Sequence, residues 1–185
     1  MLVMLPLFLS GWRRPASAAA ALVMAATAVT PPAAAAITAP CEAGTPAAFI
    51  VHVEGFKDRI GRLKVELYPP TQADFLRRDD DLLREGKVFR RVWAQVPADG
   101  PALVCIRAPG PGRYALIATH QREDGKKFDV WRDGFGTASA VPIGMRRPRV
   151  AVALVVAGSG STDVTVRLQY LQGLRGFSPE RPSHA

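Results

Sequence analysis

Three histidines, two cysteines and the carboxylates between positions 121 and 148 are the side chains with which this 185-residue chain could do chemistry. A nucleophilic enzyme needs Ser or Cys beside a base and an orienting acid. His120 with Asp129 or Asp133 supplies an acid–base pair if the loop after His120 folds back on it. The alternative, which we adopt, is a histidine at a strand end bonded to loop backbone. His52 lies within an alternating segment and His184 in a polar tail. The sequence contains no G-x-S-x-G elbow, H-E-x-x-H pair, Walker loop or dinucleotide fingerprint. We therefore expect a protein that is not an enzyme, with no cofactor and no metal.

Segment 121–148 shows no strand periodicity, and connections this long inside a compact domain are usually functional or mobile. It is the place to look for a site, and the candidates are His120, Asp124, Asp129, Trp131 and Asp133. Trp131, with Phe128 and Phe135, could hold a sugar or an envelope polymer; packing as the hydrophobic plug of the loop is the reading we prefer. The other reactive pair is Cys41 and Cys105, which match no C-x-x-C pattern for redox catalysis or zinc. In an oxidising compartment they would form one disulfide closing a loop of about 65 residues; two unrelated thiols are the alternative.

The elements that position these groups read as strands. Apolar and polar residues alternate over 49–53, with Phe49, Val51 and Val53 on one side, and over 63–67, with Leu63, Val65 and Leu67 inward. A turn over 58–61 makes these two a hairpin. The same pattern recurs over 164–170, where Val164, Val166, Leu168 and Tyr170 face in and Thr165, Arg167 and Gln169 face out. Further strands are expected over 88–96, 102–106, 113–120 and 150–156. The last is apolar on both sides and so is read as central. Segment 158–161 reads as the turn of a final hairpin. Over 71–86, Thr71 could cap a short helix that ends at Gly86. Gly112 and Tyr114 suggest a tyrosine corner, the device of Greek-key sandwiches in which a buried hydroxyl bonds nearby backbone.

The fold class expected is all-β: a single antiparallel β-sandwich of about seven strands with one short helix, preceded by a signal peptide. The leader would span 1–36, with Arg13 and Arg14 before an apolar run over 16–29 and small residues at 33–36 for cleavage after Ala36. An apolar run of ~14 residues is shorter than the ~20 that span a bilayer, so no permanent membrane anchor is expected. Segment 37–47 carries Cys41, the sandwich occupies 48–172, and 173–185 is a flexible C-terminal tail. Localisation is then periplasmic or secreted.

The formal charge is +8; with Arg13 and Arg14 in the leader, 22 Lys+Arg remain against 16 Asp+Glu, or +6. The clusters Arg146, Arg147 and Arg149, Arg90 and Arg91, and Lys126 and Lys127 lack the interleaved aromatics that stack bases. They read as a solvated surface, with an anionic polymer or envelope component as the alternative partner and no specific nucleic acid.

Several stretches together resemble a bacterial family: Phe56-Lys57-Asp58-Arg59, Leu67-Tyr68-Pro69, Asp74-Phe75-Leu76, Pro111-Gly112-Arg113-Tyr114-Ala115, His120, Asp129 and Leu168-Gln169-Tyr170. The family is the domain of unknown function 2141, DUF2141, and the similarity covers 49–171. The resemblance implies an exported β-sandwich of immunoglobulin-like or transthyretin-like build with no established activity. In that family the strand runs into a loop resembling H-D-x-N-x-N-G-K-x-D, whose alternating oxygens suit a calcium ion. His120 and Asp129 match its ends. Between them Gln121, Arg122 and Glu123 replace the first oxygen positions, and Lys126 and Lys127 add positive charge, so no metal is expected in this chain. The function expected is a non-catalytic binding or structural protein of the cell envelope. The alternative is a ligand- or cation-binding accessory domain using the 120–136 loop, with a hydrolase last.

Overall fold

Phe49, Val51 and Val53, and likewise Leu63, Val65 and Leu67, are wholly buried on one side of their strands, as their spacing requires. This is seen in a computed structural model, which describes residues 37–39, 41, 46–123, 125 and 127–179. The leader expected over 1–36 and the candidate Asp124 lie outside the described residues.

Among the described residues there are ten strands: β1 Ile37–Ala39, β2 Ala48–Glu54, β3 Arg62–Tyr68, β4 Arg90–Gln95, β5 Ala102–Arg107, β6 Gly112–Gln121, β7 Gly134–Thr137, β8 Leu154–Ala157, β9 Ser161–Leu171 and β10 Phe177–Pro179. Eight of them follow one hydrogen-bonded path, β1-β5-β2-β9-β7-β6-β3-β4, with β10 added on β9 and β8 on β6. The consecutive strands β4 and β5 stand near opposite ends of that path yet approach one another. The all-β sheet is thus nearly closed into a barrel-like shape.

The main core fills this shape, with Phe49, Val51, Leu63, Val65, Leu116, Val166, Leu168 and Tyr170 pointing inward. A smaller cluster lies on the outer face of β3 and β6. There Tyr68, Ala115 and Ile117 are covered by Phe75, Leu82, Phe89 and Ala153. Strand β6 is therefore buried on both sides, which explains why its sequence reads as a near-continuous apolar run.

Several sequence expectations are corrected. Strands β2 and β3 do not pair: β2 lies between β5 and β9, and β3 between β4 and β6. Nor is 158–161 a hairpin turn, since β8 pairs with β6 and β9 pairs with β2, β7 and β10. Alternation specifies the buried face of a strand and is silent about its neighbour. The apolar stretch 150–156 begins as a 3-10 turn, Val150–Ala153, and gives only the short strand β8, with Val156 exposed. The helix expected over 71–86 is confined to α1, Asp79–Arg84. Thr71 does cap a turn, its Oγ1 accepting the Asp74 N–H at 3.3 Å, but Leu76 at φ 60° ends that turn before a helix can propagate. Lys87, Thr71 and Arg77 hold the Asp74 carboxyl below its ordinary range and tie the turn to α1. Residues 173–179, read as part of the tail, add a 3-10 turn and β10.

Strand β7 carries no strand pattern in the sequence because two of its four residues are glycine. A Cβ at Gly134 would stand 2.6 Å from the Tyr170 ring, and one at Gly136 would stand 2.7 Å from Val166. Glycine lets this short strand press against β9 and join the two halves of the sheet. Gly134→Ala should therefore destabilise the fold by ~1–3 kcal/mol, the range for overpacking a core. A thermal melt reads this directly, and an unchanged midpoint would mean that the Tyr170 ring can retreat.

The Tyr114 hydroxyl donates to the Gly110 carbonyl at 2.8 Å, and Gly112, at φ 153°, lets the chain turn beneath the ring. The cysteines are bonded, Cys41 to Cys105, with Cα atoms 5.3 Å apart, which suits a disulfide.

Candidate functional site

His120 ends the inward-facing row of β6 and is wholly buried. Its Nε2 lies 2.6 Å from the Ile60 carbonyl, which can only accept, so Nε2 carries the proton. Nδ1 then accepts from the Tyr170 hydroxyl at 2.7 Å, and the Tyr170 oxygen accepts the Lys57 N–H at 3.1 Å. Phe56 packs edge-on against the imidazole. Burial pushes the His120 imidazole below its ordinary value, opposed in part by the Ile60 bond and by Asp58. Both ring nitrogens are occupied by protein groups. The chemistry available to this histidine is to tie the 55–61 crossover to β6 and β9.

The carboxylates of the loop are likewise engaged. Asp133, buried, accepts the Arg122 N–H on Oδ1 and the Asp129 N–H on Oδ2, both at 2.9 Å. Asp129 accepts the Trp131 N–H at 2.9 Å. Asp133 thus cinches both ends of the 122–129 excursion, and Asp129 turns the chain so that Trp131 points outward. Arg132 pairs with Glu123 across a small charged recess that also includes Lys127. Among the described residues no three of His, Cys, Asp or Glu come together as metal ligands. His52 bonds Asp163 at 2.6 Å on the exterior of β2 and β9. The structure therefore brings Asp129 and Asp133 together, keeps His120 inside the sheet, and sends Trp131 to its outer face.

On that outer face lies a groove of about 580 Å³. Its floor is Ile117 and Thr119 of β6 with Phe135 of β7, flanked by Lys64, Glu66 and Tyr68 of β3. One wall is Phe128, Val130 and Trp131, and Phe128 stacks on Phe177 of β10 with centroids 6.2 Å apart. The other wall is the strap Ile143 to Pro148, held down by Gln169. Gln169 lies on the outward side of β9 and is nevertheless fully buried, because its side-chain amide accepts the Ile143 N–H at 2.9 Å and donates to the Val141 carbonyl at 3.0 Å. Backbone bonds between Gly144 and Phe177, at 2.9 and 2.8 Å, fasten the strap to β10. Arg147 donates to the Phe75 and Leu76 carbonyls at 3.0 Å and so ties the strap to the 71–76 turn. Trp131 is 80% exposed and Met145 69%, a costly display of apolar surface on a small domain.

This groove spans β3, β6 and both loops of the segment that the sequence singled out. A family model described as an uncharacterized protein conserved in bacteria, DUF2141, matches residues 51–165, which run from β2 into β9 and include that segment. The chain belongs to this family. No curated protein and no solved structure matches it. Within the DUF2141 match lie His120, Gly112, Tyr114, the 120–136 loop and the strap, whereas Cys41 and Tyr170 fall outside it.

Sequence reasoning singled out Trp131 and its aromatic neighbours but preferred them as a packed plug, whereas Trp131 is exposed at the groove; it took Arg146 for solvated surface and missed Ile143, Met145, Leu171 and Phe177. The available signal was the alternation of Val141, Ile143 and Met145 in a stretch set aside as loop. An apolar every-second-residue pattern without flanking β-formers reads as nothing until Gln169 is seen to hold it.

Proposed function

We propose that this DUF2141 chain is an exported, non-catalytic β-sandwich module of the cell envelope that binds an apolar ligand in its outer-face groove. The observation that carries the reading is the groove itself, about 580 Å³, apolar in floor and walls, and open to solvent beside Trp131 and Met145. Pockets that bind small molecules fall at ~300–1,000 Å³ and are lined in this way. The non-catalytic reading is supported by His120, Asp129 and Asp133, each engaged in bonds that shape the loops. Export is supported by the order of basic, apolar and small residues over 1–36 and by the Cys41–Cys105 disulfide. The sandwich build, immunoglobulin-like or transthyretin-like, is supported by the crossovers from β2 to β3 and from β8 to β9. These carry the chain between a layer of β1, β5, β2 and β9 and a layer of β4, β3, β6 and β8, with β7 bridging the two.

Titration with the apolar fluorophore N-phenyl-1-naphthylamine tests the groove. One saturable site per chain is expected, lost on replacing Val130→Asp and Met145→Asp together while the melting profile stays that of the parent. Fluorescence that never saturates, or that is unaltered by the double replacement, contradicts the proposal.

A further inference from the structure

The groove carries an excess of positive charge that an uncharged occupant would leave unanswered. Lys64, Arg146 and Arg147 border it against one carboxylate, Glu66. Glu66 is already held from outside the groove by Arg91, at 2.7 Å, and from within by Lys64, at 3.3 Å. Its charge is therefore spent, and so is that of Lys64. Arg147 gives one guanidinium nitrogen to two backbone carbonyls. Arg146, exposed on the strap between Met145 and Arg147, has no hydrogen-bond or ion-pair partner among the described residues. One uncommitted guanidinium thus stands at the border of an apolar slot. Its planar fork matches a carboxylate with two parallel bonds.

We infer that the occupant is a single-chain amphiphile with a carboxylate head, its hydrocarbon tail along Phe135, Phe128 and Met145 and its head at Arg146. The inference rests on the groove being a ligand site. Methylenes removed from water supply the affinity along the apolar walls, and Arg146 selects the head. A second copy of the chain suits the surface less well. A two-fold contact through this face would bring the basic straps of both subunits into one interface and double its positive charge.

Competition against bound N-phenyl-1-naphthylamine on the full chain tests this, using dodecanoate, dodecanol and dodecyl phosphate below their micellar concentrations. Dodecanoate should displace the fluorophore about tenfold more effectively than dodecanol. Arg146→Gln should reduce dodecanoate to the level of dodecanol while leaving dodecanol and the fluorophore unchanged. Equal displacement by acid and alcohol, unaffected by Arg146→Gln, overturns the head-group assignment and leaves the apolar groove standing. So does fluorophore that binds saturably but is displaced by none of the three. A tenfold preference for the phosphate over the carboxylate overturns the choice of head. Failure of the fluorophore itself to bind removes the groove reading and this inference together. Sedimentation as a dimer that Met145→Asp dissociates assigns the face to a second copy and also overturns the inference.

Discussion

His120→Ala should lower the unfolding free energy by ~3–5 kcal/mol, a large-to-small core cavity together with the loss of two hydrogen bonds that the imidazole makes. The Ile60 carbonyl and the Tyr170 hydroxyl both lose the imidazole that joins them. Because burial holds the folded-state His120 below its ordinary value, the unfolded chain takes up a proton that the folded chain refuses. His120 therefore leaves stability intact above the unfolded value of ~6.5, and stability falls as pH drops from there toward the folded value. The slope it contributes is at most ~1.4 kcal/mol per pH unit. Urea unfolding at pH 7.5 and pH 5 should show the parent weakening more than His120→Ala between the two. An Ala variant as stable as the parent, or one with the same acid sensitivity, would remove His120 from the centre of the fold.

Breaking the Cys41–Cys105 bond should cost ~3–4 kcal/mol, since the two residues are 64 apart in sequence and the closed loop restricts the unfolded chain. The bond fastens the segment after β1 to β5. Without it β1, a three-residue strand paired in parallel with β5, has little to keep it on the sheet edge. Protein made with residues 1–36 in a bacterium should be recovered from the periplasm beginning near Ile37, with a mass lower by two hydrogens than the reduced chain. Cys105→Ser or reduction should shift the guanidinium midpoint down sharply. Recovery in the cytosol with the leader intact would contradict the export reading, and an unmoved midpoint would contradict the stabilising role.

What could be read in the sequence followed what each signal physically reports. Alternation correctly placed Phe49, Val51, Val53, Leu63, Val65 and Leu67 inside, because burial is a property of one strand and its own side chains. Pairing is a property of two, and the hairpins expected at 58–61 and 158–161 are crossovers. Strand β7 was illegible because the trait that lets it bridge the sheet, glycine against Tyr170 and Val166, is also the trait that erases a strand pattern. At the site, the position of Trp131 and the aromatic loop was legible from composition, but the plug read there was not, since Trp131 stands exposed. The strap was not, since its anchor Gln169 looks like an ordinary outward-facing polar residue in an alternating strand. His120 was legible as a strand-end group bonded to loop backbone, here the Ile60 carbonyl, but its second partner, Tyr170, lies 50 residues away.

The claim on which the rest depends is that the outer face between the 128–131 wall and the strap takes up an apolar molecule. Backbone and indole NMR of the full chain, titrated with N-phenyl-1-naphthylamine, maps this residue by residue. Shifts confined to Thr119, Phe128, Val130, the Trp131 indole, Gly144 and Met145, with Leu116, His120 and the Val51 row unmoved, are predicted. Shifts centred on the barrel interior or on the β2 and β9 exterior, or none at saturating probe, would contradict it.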